Sequence, residues 1–112
     1  MFFPATLDLD NKKYLVVPKD EYQAAIARAA GVKLPALPKA DKKGRTSASA
    51  FASASMARSI IVDRLALGWT QQDLANATGL AVETISRIET GKHRPQAGTV
   101  SKIDRALANA EH

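Results

Sequence analysis

Four residues in the C-terminal half carry side chains that can read the edges of base pairs. Arg87 presents a two-pronged donor that matches the O6 and N7 atoms of guanine, and Glu83 can accept a hydrogen bond from the N4 amino group of cytosine. Val82 can touch a thymine methyl group, and Thr84 lies between Glu83 and Arg87 in the sequence. We expect these four residues on the outer side of one short helix. The alternative for each is that the side chain is simply exposed to solvent and contacts no DNA.

A second set of residues can hold phosphate groups. Thr70 and Gln71 begin the preceding short helix, where free backbone amides and the Gln71 side chain suit an anion. Lys92, His93 and Arg94 directly follow the helix that carries Arg87, and they can anchor phosphates beside it. Two helices joined by a tight turn, with polar side chains on the outer face of the second, can place a helix in the DNA major groove.

The segment 56–112 is predicted to be helical throughout. Its first helix ends at Gly68, its second is capped by Thr70 with Asp73 three residues later, and its third ends at Gly91. A last helix starts near Thr99. The residues expected to face a common core are Met56, Ile60, Ile61, Leu65, Leu67, Leu74, Ala75, Ala77, Ile85, Ile88, Val100, Ile103, Ala106 and Leu107.

The segment 1–31 is predicted to be a small β-hairpin followed by one helix. Two strand-like runs flank the turn signal at residues 10–12, and Pro18 and Gly31 mark the start and the end of the helix. A hairpin with one helix is marginally stable alone, so this piece needs a partner. The segment 32–55 is rich in Pro, Ala and Ser and is expected to be a flexible linker, although its Ala/Ser end can instead extend the next helix backwards.

Composition excludes several classes of protein. The 112 residues carry a formal charge of +5, contain no cysteine and contain two histidines, so neither a disulfide nor a metal site is expected, and no cofactor is indicated. No apolar run is long enough for a membrane span and no secretory signal is present, so we expect a cytoplasmic protein. Residues 57–112 carry seven basic against six acidic residues, so a basic footprint must arise from local arrangement or from the other half.

Residues 57–108 resemble the helix-turn-helix domain of the lambda-repressor/Cro family, also called the Xre type. The resemblance rests on residues 68–71, 74–75, 79–80, 84–89 and 91–95. It implies a mainly α fold, with a bundle of four to five helices at the C-terminus after the small hairpin and helix. It also implies base contacts at positions 82, 83, 84 and 87, a structural ion pair between Arg64 and Glu89, and a homodimer on double-stranded operator DNA. Ala81 departs from the pattern, because a Ser or Thr often caps the recognition helix there.

Residues 12–31 loosely resemble the N-terminal piece of small bacterial antitoxins. With the helix-turn-helix domain, this suggests a type II antitoxin similar to the HigA group, which neutralises a toxin of the RelE, ParE or HigB kind and represses its own operon. The expected partner-binding residues are Tyr14, Val16, Tyr22, Ile26, Leu34 and Leu37. A stand-alone Xre-type regulator and an adaptor that no longer binds DNA are the alternatives. An enzyme is not expected, because the sequence shows no nucleophile–base pair, carboxylate pair or glycine-rich phosphate loop.

Overall fold

From residue 5 onward, the described residues form a two-stranded antiparallel hairpin followed by five helices, so the fold is mainly α, which confirms the predicted class. The computed structural model describes residues 5–39, 42, 44 and 47–110. The expectations for residues 1–4, for the remaining residues of the charged stretch between 40 and 46, and for residues 111–112 lie outside these described residues. The elements are β1 (Ala5–Leu9), β2 (Lys12–Val16), α1 (Lys19–Ala30), α2 (Ala48–Ala66), α3 (Gln71–Thr78), α4 (Val82–Glu89) and α5 (Ala97–Ala110).

The hairpin turns through Asp10 and Asn11 alone, whose φ angles of 51° and 63° are both positive. Such a two-residue turn matches the right-handed twist of its strands, and Asp and Asn tolerate the left-handed region better than most residues. Lys12, which the sequence placed in the turn, instead pairs with Leu9 in the ladder. Every residue of β2 is exposed, so the described chain covers neither face of this strand.

Helix α1 begins after Pro18 and ends at Gly31, which adopts the left-handed conformation with a φ of 70°. Asp20 and Glu21 lie in its first turn, where the helix dipole favours carboxylates. The helix packs against α2, and the side chains buried on the two helices include small ones that permit a close approach. These small residues are Ala27 on α1 and Ser53, Ala54 and Ala57 on α2.

Helix α2 starts at Ala48, so the expected boundary at residue 55 falls inside this helix and residues 48–55 are not a flexible linker. Ser47 caps the helix by accepting a hydrogen bond from the Ala50 amide at 3.3 Å. The second sequence interpretation, in which the Ala/Ser end extends the helix, therefore describes this part of the chain. The physical reason is that alanine has the highest helix propensity and that Ser53 and Ala54 of this stretch are buried in the folded chain.

Residues 32–38, which we call the strap, cross from α1 to the C-terminal helices without regular structure. The Val32 amide donates to the Ala27 carbonyl at 2.9 Å, and Arg58 Nη1 donates to the Pro35 carbonyl at 2.9 Å. Pro35 also lies against Gly91, because a Cβ added at residue 91 would come within 3.1 Å of the Pro35 Cβ. The strap is thus held at two points, Val32 and Pro35.

One apolar core joins helices α2 to α5. Its buried members are Ile60, Leu74, Ala75, Ile85, Ile88, Ile103 and Leu107. All seven were among the residues predicted to face inward from helical spacing. Trp69 packs against this core and is half-buried, whereas Ala77 is exposed, contrary to the expectation, because Ala75 and Thr78 take the inward positions of the last turn of α3.

The two helices of the helix-turn-helix differ at their N-termini. Helix α3 has a complete capping box, in which Thr70 Oγ1 accepts from the Asp73 amide at 3.1 Å and Asp73 Oδ2 accepts from the Thr70 amide at 2.8 Å. Helix α4 is preceded by Ala81, which has the extended backbone of a cap residue but makes no side-chain capping bond. One of the free amides of α4 therefore lacks the hydroxyl acceptor that Ser or Thr supplies.

The Ala81→Ser variant should therefore be more stable than the parent by about 1 kcal/mol in the free energy of unfolding, because the serine hydroxyl can accept from a first-turn amide of α4. Urea denaturation of both proteins measures the difference. The matched control is Ala77→Ser, an exposed site inside α3, where serine should lower stability by a few tenths of a kcal/mol. An equal change in both variants would contradict the capping argument.

Candidate nucleic-acid interface

The exposed side of α4 is a polar stripe. Glu83, Ser86, Arg87 and Thr90 recur at intervals of three and four residues, and all four are exposed. The opposite side of the helix buries Ile85, Ile88 and Glu89. A left-handed Gly79 ends α3, with a φ of 76°, and only two further residues separate it from α4. The polar stripe therefore sits on a short helix whose other side is fixed to the core.

The four candidate base-reading residues differ in accessibility. Glu83 and Arg87 are exposed, and Thr84 is half-buried. Val82 is also half-buried and packs against the core, so part of the side chain expected to touch a thymine methyl group is covered by protein. Ser86 is exposed on the same stripe and was not among the expected site residues. Its helical spacing of three from Glu83 is the signal that could have found it.

One cleft brings the expected base-reading and phosphate-binding residues together. It lies between α4 and the beginning of α5, and its lining includes Thr84, Arg87, His93 and Arg94. Lys92, His93 and Arg94 are all exposed in the loop that leaves α4. His93 and Arg94 of this loop therefore stand on one side of the polar stripe.

Thr70 and Gln71 lie at the beginning of α3, as the sequence predicted, but both side chains have partners within the protein. The Thr70 hydroxyl belongs to the capping box, and Gln71 Nε2 donates to Glu89 Oε1 at 2.9 Å. One of the two amide hydrogens of Gln71 is thus committed to α4. The sequence analysis did not predict this bond, because residues 18 positions apart come together only in the folded chain.

A buried ion pair connects α2 to α4. Arg64 Nε lies 2.8 Å from Glu89 Oε2 and Arg64 Nη2 lies 2.9 Å from Glu89 Oε1, so the pair is bidentate. The two side chains are only 7% and 5% exposed. Arg64 Nη1 also donates to the Trp69 carbonyl at 2.8 Å, in the loop before α3. The structure thus contains the pair expected between Arg64 and Glu89.

The bonds around Glu89 set the orientation of α4. Its two carboxylate oxygens accept from Arg64 on α2 and from Gln71 on α3, and no buried side-chain nitrogen or oxygen among the described residues lacks a hydrogen-bond partner. Fully satisfied buried polar groups hold a specific geometry, because any movement exposes an unpaired charge to an apolar surrounding. The polar stripe is therefore presented at a defined angle.

The fold and this geometry define a mainly α protein with a helix-turn-helix domain. Residues 63–108 match the model of the helix-turn-helix family of the lambda-repressor, or Xre, type, a match that spans the end of α2, all of α3 and α4, and most of α5. This match suggests a DNA-binding regulator. No curated protein and no solved structure matches the chain. Within the described residues, no helix is both long and apolar enough to cross a membrane.

The buried pair makes a strong prediction for stability. Glu89→Ala should lower the free energy of unfolding by about 3–5 kcal/mol, because it leaves the Arg64 guanidinium buried without its counter-charge. Thermal or urea denaturation measures this loss. The double variant Arg64→Ala/Glu89→Ala should lose clearly less than the sum of the two single variants, since neither charge is then stranded. Additive losses would contradict the pairing argument.

Proposed function

We propose that this chain is a sequence-specific DNA-binding transcriptional repressor that acts as the antitoxin of a type II toxin–antitoxin system and regulates its own operon. The observation that carries the DNA-binding part is the polar stripe of α4, held by the buried pair beside the cationic loop of Lys92, His93 and Arg94. The match of residues 63–108 to a helix-turn-helix model supports the same part. The toxin-binding part rests on the surface of the N-terminal segment.

In this proposal α4 enters the major groove, whose width admits one α-helix. Arg87 is the side chain best suited to select a base, since it is exposed and can bond guanine at two atoms. Glu83 favours cytosine and disfavours close phosphates, while the loop after α4 contacts the backbone. Two copies on a palindromic operator would place their α4 helices about 34 Å apart, one turn of DNA.

The large apolar side chains that are exposed within the described residues all lie in the first half of the chain. They are Leu7, Leu9, Tyr14, Leu15, Val16, Tyr22, Leu37 and Phe51. Four of the six expected partner-binding residues belong to this set, whereas Ile26 and Leu34 are half-buried. Concentrated apolar exposure is typical of a protein-binding surface, and this supports a partner that covers the N-terminal segment.

The hairpin offers the most apolar part of this surface. Leu7 pairs with Tyr14 in the ladder, so their side chains share one face, and Leu9 and Val16 lie on that same face. We call these four residues the apolar hairpin face. The opposite face carries the pairs Thr6–Leu15 and Asp8–Lys13 and is more polar. A toxin that docks on the apolar hairpin face would bury side chains that are now about half-exposed.

A stand-alone regulator is the second candidate function, and the composition of the apolar hairpin face favours it. The only charged residue of that side of the ladder is Lys12, which stands at one end opposite Leu9. A two-fold axis that lies between two such faces, perpendicular to the strands, would place the two copies of Lys12 at opposite ends, so the face can pack on itself without like charges meeting. In this case the hairpin joins two copies of the chain and no toxin is needed.

The base-reading role of Arg87 has a direct test in operator binding. Arg87→Ala should weaken binding to DNA from upstream of the gene by about 1–3 kcal/mol, with the fold unchanged. It should also reduce the ratio of the affinity for this DNA to the affinity for scrambled DNA. A mobility-shift titration against scrambled competitor measures both. Arg105→Ala is the matched control, because Arg105 is exposed on α5 and lines a separate cleft beside the end of α3. Equal operator affinity of the Arg87 variant and the parent would refute this role.

The role of the N-terminal segment is tested with paired variants of the two hairpin faces. Leu7→Ala/Tyr14→Ala should fail to rescue the growth of cells that express the toxin encoded beside this gene, because it removes half of the apolar hairpin face. Thr6→Ala/Leu15→Ala, which alters the directly opposite face, should rescue as the parent does.

Growth rescue by both hairpin variants would refute toxin binding through the apolar hairpin face. Sedimentation of the purified proteins separates the two candidate functions. If Leu7→Ala/Tyr14→Ala converts a dimer to a monomer while no neighbouring gene product binds the parent, the stand-alone regulator is favoured.

A further inference from the structure

The strap places a lysine beside the polar stripe of α4, well before the segment that matches the helix-turn-helix model. Lys33 is exposed and stands between the two fixed points of the strap. On one side Val32 donates to Ala27, and on the other Pro35 accepts from Arg58 and lies against Gly91. The Val32 bond fixes the strap to the end of α1, and the Pro35 contacts fix it to α2 and to the end of α4, so the backbone at Lys33 is held between these helices.

Lys33 shares a cleft with residues of all three helices that form the interface. The cleft is lined by Lys33 from the strap, Arg64 from α2, Gln71 from α3, and Ser86 and Thr90 from α4. Ser86 and Thr90 belong to the polar stripe, so the cleft adjoins the surface that carries Arg87. Arg94 and His93 line a different cleft, which contains Thr84 and Arg87. The polar stripe therefore has a positive side chain on each of its two flanks.

The charge of this second flank comes from the strap. Arg64 is buried, and its guanidinium is neutralised by Glu89. No carboxylate among the described residues forms a salt bridge with Lys33, whose side chain is exposed. The C-terminal half is close to neutral, with seven basic against six acidic residues from position 57 onward. An added cation beside α4 therefore changes the local charge substantially.

DNA geometry indicates what this flank would meet. A helix in the major groove has one sugar–phosphate strand on each side, because the groove is only about 12 Å wide. The loop at residues 92–94 faces one of these strands, and the cleft of Gln71, Ser86 and Thr90 faces the other. A flexible lysine at the rim of that cleft suits a phosphate, which it would bind as a point charge without reading sequence.

We propose that Lys33 is a phosphate-contacting residue, supplied by the strap to the DNA backbone on the side of α4 opposite the loop of residues 92–94. This rests on the proposed function, since it assigns a further contact to the same DNA interface. It also makes the strap part of the DNA-binding surface and not merely a connection between the hairpin segment and the helix-turn-helix. The ligand is the phosphate backbone of double-stranded operator DNA.

The test is the salt dependence of operator binding by the full chain. Lys33→Ala should make the slope of log K against log salt shallower by about 0.9 for each bound copy that loses one phosphate contact. Its preference for operator over scrambled DNA should be unchanged, because phosphate contacts carry no sequence information. Lys33→Arg keeps the charge and should retain the parental slope. A merely structural effect on α4 would instead change the preference for operator.

Lys19→Ala is the matched control, because Lys19 is an exposed lysine at the opposite end of α1. The 12 residues of this helix span about 18 Å, and the control should keep the parental slope.

A parental slope in Lys33→Ala, with specific binding by the parent intact, would overturn the proposal. If Lys33→Ala keeps the parental salt slope but no longer binds the toxin, Lys33 contacts an acidic protein surface instead of DNA. If the parent itself shows no operator preference, the proposed function fails first, and the role of Lys33 with it.

Discussion

The buried ion pair between Arg64 and Glu89 is the interaction on which the rest of the interface depends. Two charges that are almost completely removed from water are tolerable only when their hydrogen bonds are satisfied, and here Arg64 bonds both oxygens of Glu89 as well as the Trp69 carbonyl. Gln71 completes the set. Because these four residues come from α2, the following loop, α3 and α4, one network sets the angle at which α4 presents its polar stripe. A different angle of α4 would break charged bonds in an apolar surrounding.

Helix α2 connects the two functional parts of the molecule. Its Ile60 belongs to the core shared with α3, α4 and α5, and the same helix packs against α1. The strap also joins the two parts, since the Pro35 carbonyl accepts a hydrogen bond from Arg58 of α2 and Pro35 lies against Gly91 at the end of α4. The N-terminal segment is thus attached to the DNA-binding domain through packed contacts.

The proposal assigns DNA binding to the C-terminal helices and protein binding to the hairpin, because charged and apolar surfaces lie in different parts of the molecule. The described C-terminal helices expose polar and cationic side chains around α4, which suits a phosphate-bearing ligand. The hairpin exposes Leu7, Leu9, Tyr14 and Val16 on one face, which suits an apolar protein surface. The near-neutral total charge of the C-terminal half is compatible with DNA binding, because the cations stand beside the stripe and one of them, Lys33, comes from outside that half.

Local rules determined much of this protein from its sequence. Helical spacing predicted the seven core residues, and the Thr70–Asp73 pair predicted the start of α3. Two strand-favouring runs on either side of a turn signal at residues 10–12 predicted the hairpin. Each of these predictions depends on residues a few positions apart. Tertiary structure decided the rest. The Ala/Ser stretch became part of α2, with Ser53 and Ala54 buried in the folded chain. Gln71 bonded Glu89, Val82 turned partly to the core, and Lys33 reached the interface. These outcomes depend on contacts between distant segments, which no local pattern encodes, and they arise only when burial and hydrogen bonding are satisfied for the whole chain.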